Sequence, residues 1–239
     1  MTYEVATVAC GGPGLKFHGE PDQYSAGNTP VTVFDNHKNQ FTPCQAYQKL
    51  LDGTKAEILI LFHDDVTVHD PKWLTRILSL FENPNCVAAG MGGALALGNT
   101  DLYRKPYDIW NMARRGYASN QTDAETHGER FTGDRQVAVL DAFCMAVRVQ
   151  WLREHGGWPV EHLSHHCADL WLACEAARAG MEIWMAGVSV SHWGGGTSTK
   201  PAYEQAKWLQ GGSLASDHQS PHRFLWREYS DVLPVEVRL

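Results

Sequence analysis

The chain is predicted to be an α/β protein, with a mostly parallel central sheet flanked by helices in a single domain, and three observations predict it. The run Ile58-Leu59-Ile60-Leu61-Phe62 follows the polar stretch from Asp52 to Glu57 and reads as a strand covered on both faces. Strand-like and helix-like segments alternate around it, the pattern of βα units. The run ends at once in His63-Asp64-Asp65. In open α/β sheets ligands bind beyond the carboxyl ends of the strands, and paired carboxylates there suit a hard cation such as Mg²⁺ or Mn²⁺. A solvated, Asp-rich turn is the plainer reading of the same three residues.

Taken in order, Tyr3 to Ala9 and Pro30 to Phe34 read as short strands, and the Gly- and Pro-rich stretch Gly11 to Gly27 between them reads as loop. Thr42-Pro43-Cys44-Gln45 has the form of a capping box with proline at the first helical position; its helix runs to about Leu51 before Gly53 stops it. After the carboxylates, Asp70-Pro71 opens a second helix with Trp73, Leu74, Ile77, Leu78 and Phe81 on one face, closed by Asn83-Pro84-Asn85. Val87 to Ala89 forms the next strand. Residues 98–136 are an insert whose rings and bases include Tyr103, Arg104, Tyr107, Trp110, Arg114 and Tyr117; a segment of this kind carries partner contacts or is disordered.

Val137 to Val147 is expected as one strand, with Asp141 at the edge of an active site. A short helix from Val149 to His155 ends at Gly156-Gly157, and Asp169 to Ala179 forms another, with Leu170, Cys174 and Ala177 on one face and Gly180 as its stop. Val188, Val190 and His192 share one parity, so the imidazole projects from the face of the two valines. Residues 1–198 make the main domain, and 199–239 an extension that packs on the site or closes over it.

Composition narrows the class. With 239 residues, 44% hydrophobic and 20% charged, the chain is long enough for a substantial core. Its net charge of -7 argues against broad attraction to nucleic acid or anionic membranes. The six cysteines contain no C-x-x-C pair, which indicates neither a zinc ribbon nor a disulfide framework. No stretch has the length of a membrane span or the form of a signal peptide, so a cytoplasmic protein with reduced thiols is expected.

Four segments, in order, resemble the GT-A nucleotide-sugar glycosyltransferases and, within them, the family 2-like enzymes. They are Val33-Phe34-Asp35-Asn36, Phe62-His63-Asp64-Asp65, Leu140 to Arg148, and the Asp169 to Gly180 helix leading into Val188-Ser189-Val190-Ser191-His192. The resemblance implies a GT-A (Rossmann-like) sheet and transfer of a sugar from a nucleotide-diphosphate donor, uridine-linked, to an acceptor hydroxyl with the help of Mn²⁺ or Mg²⁺. It implies that Asp35, Asp64 and Asp141 contact the nucleotide sugar: Asp35 reaches the base or forms an Asx turn before Asn36, and Asp64 faces the ribose or the donor sugar. His63-Asp64-Asp65 looks like the family's D-x-D element with His in the first place, which leaves Asp65 as the metal ligand. His192 matches a late His ligand to the same cation. The Gly194 to Ser198 segment either closes over the diphosphate or is only a linker.

The resemblance breaks at the base. Family 2-like enzymes carry an acidic pair before the late helix, whereas this chain reads His165-His166-Cys167-Ala168-Asp169, with Cys167 in the place of the base. Three accounts stay open: Asp169 or His166 acts as base, the enzyme retains configuration and needs none, or the protein binds a nucleotide sugar without turning it over. The last describes an inactive glycan- or protein-binding module. A further alternative puts a modified nucleic acid or a protein in the acceptor role, with Tyr103 to Tyr117 as the contact surface.

Overall fold

The computed structural model describes residues 1–10, 15–17, 25–26, 29–38, 40–98, 118–119, 130, 133–163, 167–192, 221 and 224–237. In chain order the elements are β1 (Tyr3–Ala9), β2 (Lys16–Phe17), β3 (Ser25–Ala26), β4 (Thr29–Asp35), α1 (Pro43–Gly53), β5 (Ile58–His63), β6 (Val66–Val68) and α2 (Trp73–Leu80). Then follow β7 (Cys86–Gly90), β8 (Gly92–Ala94), β9 (Ala96–Leu97), β10 (Ala118–Ser119), β11 (Arg135–Val137), β12 (Val139–Leu140), β13 (Cys144–Arg148) and α3 (Val149–Glu154). The last are α4 (Ala168–Arg178), β14 (Glu182–Met185), β15 (Val190–His192) and β16 (Val235–Glu236).

The central sheet has eight strands in the order β11-β14-β7-β13-β5-β1-β4-β3. β1 pairs in parallel with β4 and β5, and β7 with β14; β13 is antiparallel to both β5 and β7, so β1, β4, β5, β7 and β14 all point one way. The reversed β13 matters most for function. Because it opposes β5, with Cys144 against Phe62, its first residues sit at the carboxyl end of β5. Side chains alternate across the sheet as the pleat requires. Leu59, Leu61, Met145 and Val147 enter one core; Ile58, Ile60, Phe62, Cys144 and Ala146 enter the other. Each fully buried Leu, Ile or Phe contributes about 1.5–3 kcal/mol relative to exposure.

The helices follow from local chemistry. At α1 the capping box is complete: the Gln45 N–H donates to Thr42 Oγ1 at 3.2 Å and the Thr42 N–H to Gln45 Oε1 at 2.9 Å. Its far end is closed by Arg153, whose Nη2 donates to the carbonyls of Leu51 and Thr54 at 2.6 and 2.7 Å. The helix α4 is buried on more than the single face expected, since Trp171, Leu172, Ala173 and Ala176 are also buried while Ala177 is only partly so. The cause lies far along the chain. Leu225 and Tyr229 join the same core as α4, Tyr229 Oη donates to Glu175 at 2.6 Å, and Arg178 lies over the Tyr229 ring at 4.0 Å. A helix sandwiched between a sheet and a returning segment loses its polar stripe.

Two expectations need correction. Residues 137–147 are not one strand: β11 lies at the edge of the main sheet, β12 pairs with β8 in a separate sheet, and Asp141-Ala142-Phe143 is a break before β13. Close approach of β12 to β8 requires glycine, because a Cβ on Gly93 would meet the Val139 carbonyl oxygen at 2.4 Å. The stretch expected as loop between β1 and β4 holds two short strands, β2 paired with β6 and β3 with β4. The strands β6 and β14 carry no strong signal of their own and are set by pairing. No disulfide joins any of the six cysteines. Among the described residues no helix is long and apolar enough to cross a membrane.

Candidate metal centre and active site

β5 delivers His63 to the carboxyl edge of the sheet, and the turn Asp64-Asp65 leads directly into β6. β15 then pairs antiparallel with β6, with His192 opposite Val66, so a residue 127 positions later lands beside Asp65. His192 Nε2 lies 3.3 Å and His63 Nδ1 4.0 Å from Asp65 Oδ1. One ligand atom from each of His63, Asp65 and His192 falls within 4.8 Å of the others. The neighbouring face of β15 is held separately, through Ser191 Oγ and His69 Nε2 at 2.7 Å.

The donor set fits a divalent cation. Asp65 Oδ1 is buried and has no hydrogen-bond partner among the described residues, although both imidazoles stand close to it. An orphaned buried carboxylate oxygen is costly unless a charge completes it. Burial works against the charge on Asp65, but the close approach of the His192 imidazole, with His63 behind it, prevails electrostatically and holds its carboxyl below the usual value. At His63, loss of solvation and then the His192 charge lower the imidazole pKa against the pull of the nearby carboxylates. A neutral imidazole and an ionised carboxylate are the forms that ligate metal.

The remaining sequence candidates separate. The Asp64 carboxylate is not one of the clustered ligands; it accepts the Cys10 N–H at 2.7 Å, tying the end of β1 to the end of β5. Asp35, exposed at the end of β4, accepts the His37 N–H at 3.1 Å and stands 2.8 Å from His37 Nδ1, the Asx-turn geometry. Asp141 lies in the break before β13, where its Oδ1 accepts the Phe143 N–H at 3.4 Å, and its charge acts on both His63 and Asp169. Asp169, half-buried in the first turn of α4, accepts the Leu170 N–H at 2.9 Å. Lost solvation, then the Asp141 charge, push its pKa up to about 7 against backbone N–H donors that include Ala142. Cys167 is buried at the N-cap of α4 with φ of 71°, a left-handed conformation that an L-residue adopts at a cost of about 1–2 kcal/mol. His166, Gly194 to Ser198 and Tyr103 to Tyr117 lie outside the described residues.

His63 is the member of the cluster to which sequence reasoning gave no role. Its signal was present: it holds the first place of the D-x-D-like element, two residues before Asp65.

The mixed sheet, with its strand-end cluster of two imidazoles and one carboxylate, defines a GT-A (Rossmann-like) domain with a candidate cation site. Residues 32–210 match the family described as "Glycosyltransferase like family", and the chain belongs to that family. Among solved structures, GalNAc-T7 with UDP, GalNAc and Mn²⁺ matches over 96% of this chain at 13% identity and a TM-score of 0.54; the chain covers 50% of that protein. A197 from STIV matches at 12% identity and TM-score 0.49, covering 81% of this chain and 86% of that one. The mannosyltransferase PcManGT from Pyrobaculum calidifontis, in complex with GDP-Man and Mn²⁺, matches at 12% identity and TM-score 0.45 over 93% of this chain and 68% of its own. The likeness to GalNAc-T7 is one of fold. No curated protein matches.

Proposed function

We propose that the protein is a metal-dependent glycosyltransferase that moves a sugar from a uridine diphosphate sugar to an acceptor hydroxyl. The observation that carries this is the His63, Asp65, His192 cluster at the carboxyl edge of a GT-A sheet, with Asp65 Oδ1 buried and unsatisfied. Two imidazoles and one carboxylate favour Mn²⁺ over Mg²⁺, which prefers oxygen donors. When bound there, such a cation supplies positive charge to the leaving diphosphate. Support for the uridine donor is the UDP in the GalNAc-T7 structure.

The chain's own groups divide the remaining work. Asp65, His63 and His192 hold the ion. Asp64 fixes the β1 and β5 ends on which the donor rests, and Asp35 and Asp141 flank the donor from β4 and from the β13 break. Asp169 takes the acceptor proton: a carboxyl with a pKa of about 7 is a stronger base than an ordinary aspartate and is about half ionised at neutral pH. It thereby replaces the acid missing at Cys167, and His166 is the alternative base. The insert at 98–136 contacts the acceptor, and the extension 199–239 serves the site, its Leu225 and Tyr229 joining the core. Calorimetric titration of UDP-sugars with and without Mn²⁺ tests the reading; absence of binding, unaltered by Asp65→Ala, would refute it.

One observation favours a second reading. Cys167 occupies the base position in a strained backbone, as in a module that binds a donor without transferring it. Slow hydrolysis of the donor in water, lost in Asp65→Ala, would count against that module.

A further inference from the structure

Phe143 contacts both histidines of the cluster, one through the backbone and one through its ring. Its backbone carbonyl accepts the His63 N–H at 3.0 Å. Its ring stacks on that of His192, with centroids 4.8 Å apart and planes inclined by 28°. The residue is fully buried, and its own N–H is directed to Asp141 Oδ1 at 3.4 Å. It sits there because β13 runs against β5, which brings the start of β13 level with His63, and because β15 lays His192 over the same spot.

The rotation of an imidazole about its Cβ–Cγ bond has broad minima, so a histidine ligand does not aim its lone pair unaided. Ligating histidines therefore depend on surrounding groups that fix ring orientation. A flat aromatic face at stacking distance restricts that rotation, and a carbonyl bond on the His63 backbone restricts where the other imidazole starts. We propose that Phe143 is a positioning residue for the metal centre, its ring fixing the plane of His192 and its carbonyl the base of His63. This rests on the metal reading above.

The experiment measures Mn²⁺ binding by loss of the free-ion electron paramagnetic resonance signal, in the full chain and in Phe143→Leu. Phe81→Leu is the control: Phe81 is a buried ring of the same core, lying under Arg148 rather than against the cluster. Phe143→Leu is expected to weaken Mn²⁺ binding by about tenfold or more while Phe81→Leu stays within about twofold, with similar melting points for the two metal-free variants. Equal affinity in Phe143→Leu and wild type, or an equal loss in both variants, would overturn the assignment. Should Phe143→Leu not fold, the metal-free wild type decides. Ring protons of His192 displaced upfield by the Phe143 ring current support the stack, and unshifted protons sink it. Wild-type protein that takes up no Mn²⁺ would remove the metal reading, and this inference with it.

Discussion

Asp169→Asn is the substitution that most directly tests the electrostatics of the site, because it separates stability from chemistry. The carboxyl titrates at about 7 in the folded chain and, like any exposed aspartate, near about 3.9 when unfolded. Its folded value is raised, so the folded protein holds a proton that the unfolded chain has released, and stability falls as pH climbs from about 4 to about 7. The full difference corresponds to about 4 kcal/mol at pH 8; half-burial lets water screen part of it, which leaves about 1–2 kcal/mol. Asparagine is neutral at every pH and keeps an oxygen to accept the Leu170 N–H. Urea unfolding of the metal-free protein should therefore show the variant more stable than wild type at pH 8 and equal to it near pH 4. If Asp169 is the base proposed above, the same variant should also lose transfer activity. A variant that is less stable at pH 8, or whose advantage is the same at both pH values, would refute the reasoning.

Removing Asp141, whose charge raises the Asp169 pKa, should let Asp169 ionise more easily: the acid limb of the kcat/KM profile moves to lower pH in Asp141→Asn. Thr42→Ala removes one half of the α1 capping box and should cost about 1 kcal/mol, a drop of about 2–4 °C in melting temperature by calorimetry. Arg153→Ala leaves two carbonyls at the end of α1 without their donor and should destabilise by about 1–3 kcal/mol in urea titration. Mn²⁺ at about a hundred times its dissociation constant should stabilise the wild type by about 2.7 kcal/mol, and Asp65→Ala should abolish that gain.

Local patterns were readable wherever one stretch of chain carried the whole signal. The β5 run, the Thr42 to Gln45 capping box and the parity of Val190 and His192 all appear in the structure as their side chains required. The failures share a cause. Val137 to Val147 is apolar throughout, and nothing within it says that Val139 will pair with β8 while Cys144 pairs with β5. An apolar run also looks the same in either direction, so the reversal of β13 was invisible. The breadth of burial around α4 depended on Leu225 and Tyr229, a core contribution that a helical wheel cannot contain.

The candidate site divides along the same line. Sequence by itself determined that carboxylates leave a buried strand at Asp64 and Asp65 and that Val190 and His192 share one parity, because each depends only on residue type and local period. Tertiary structure supplied the contacts that divide the two carboxylates, Asp65 having already been the expected ligand. Cys10 captures Asp64, and the pairing of β15 with β6 gives Asp65 to His192. It alone added His63, and it alone set Asp169 beside Asp141, where one charge moves another's proton across space that no spacing in the chain encodes.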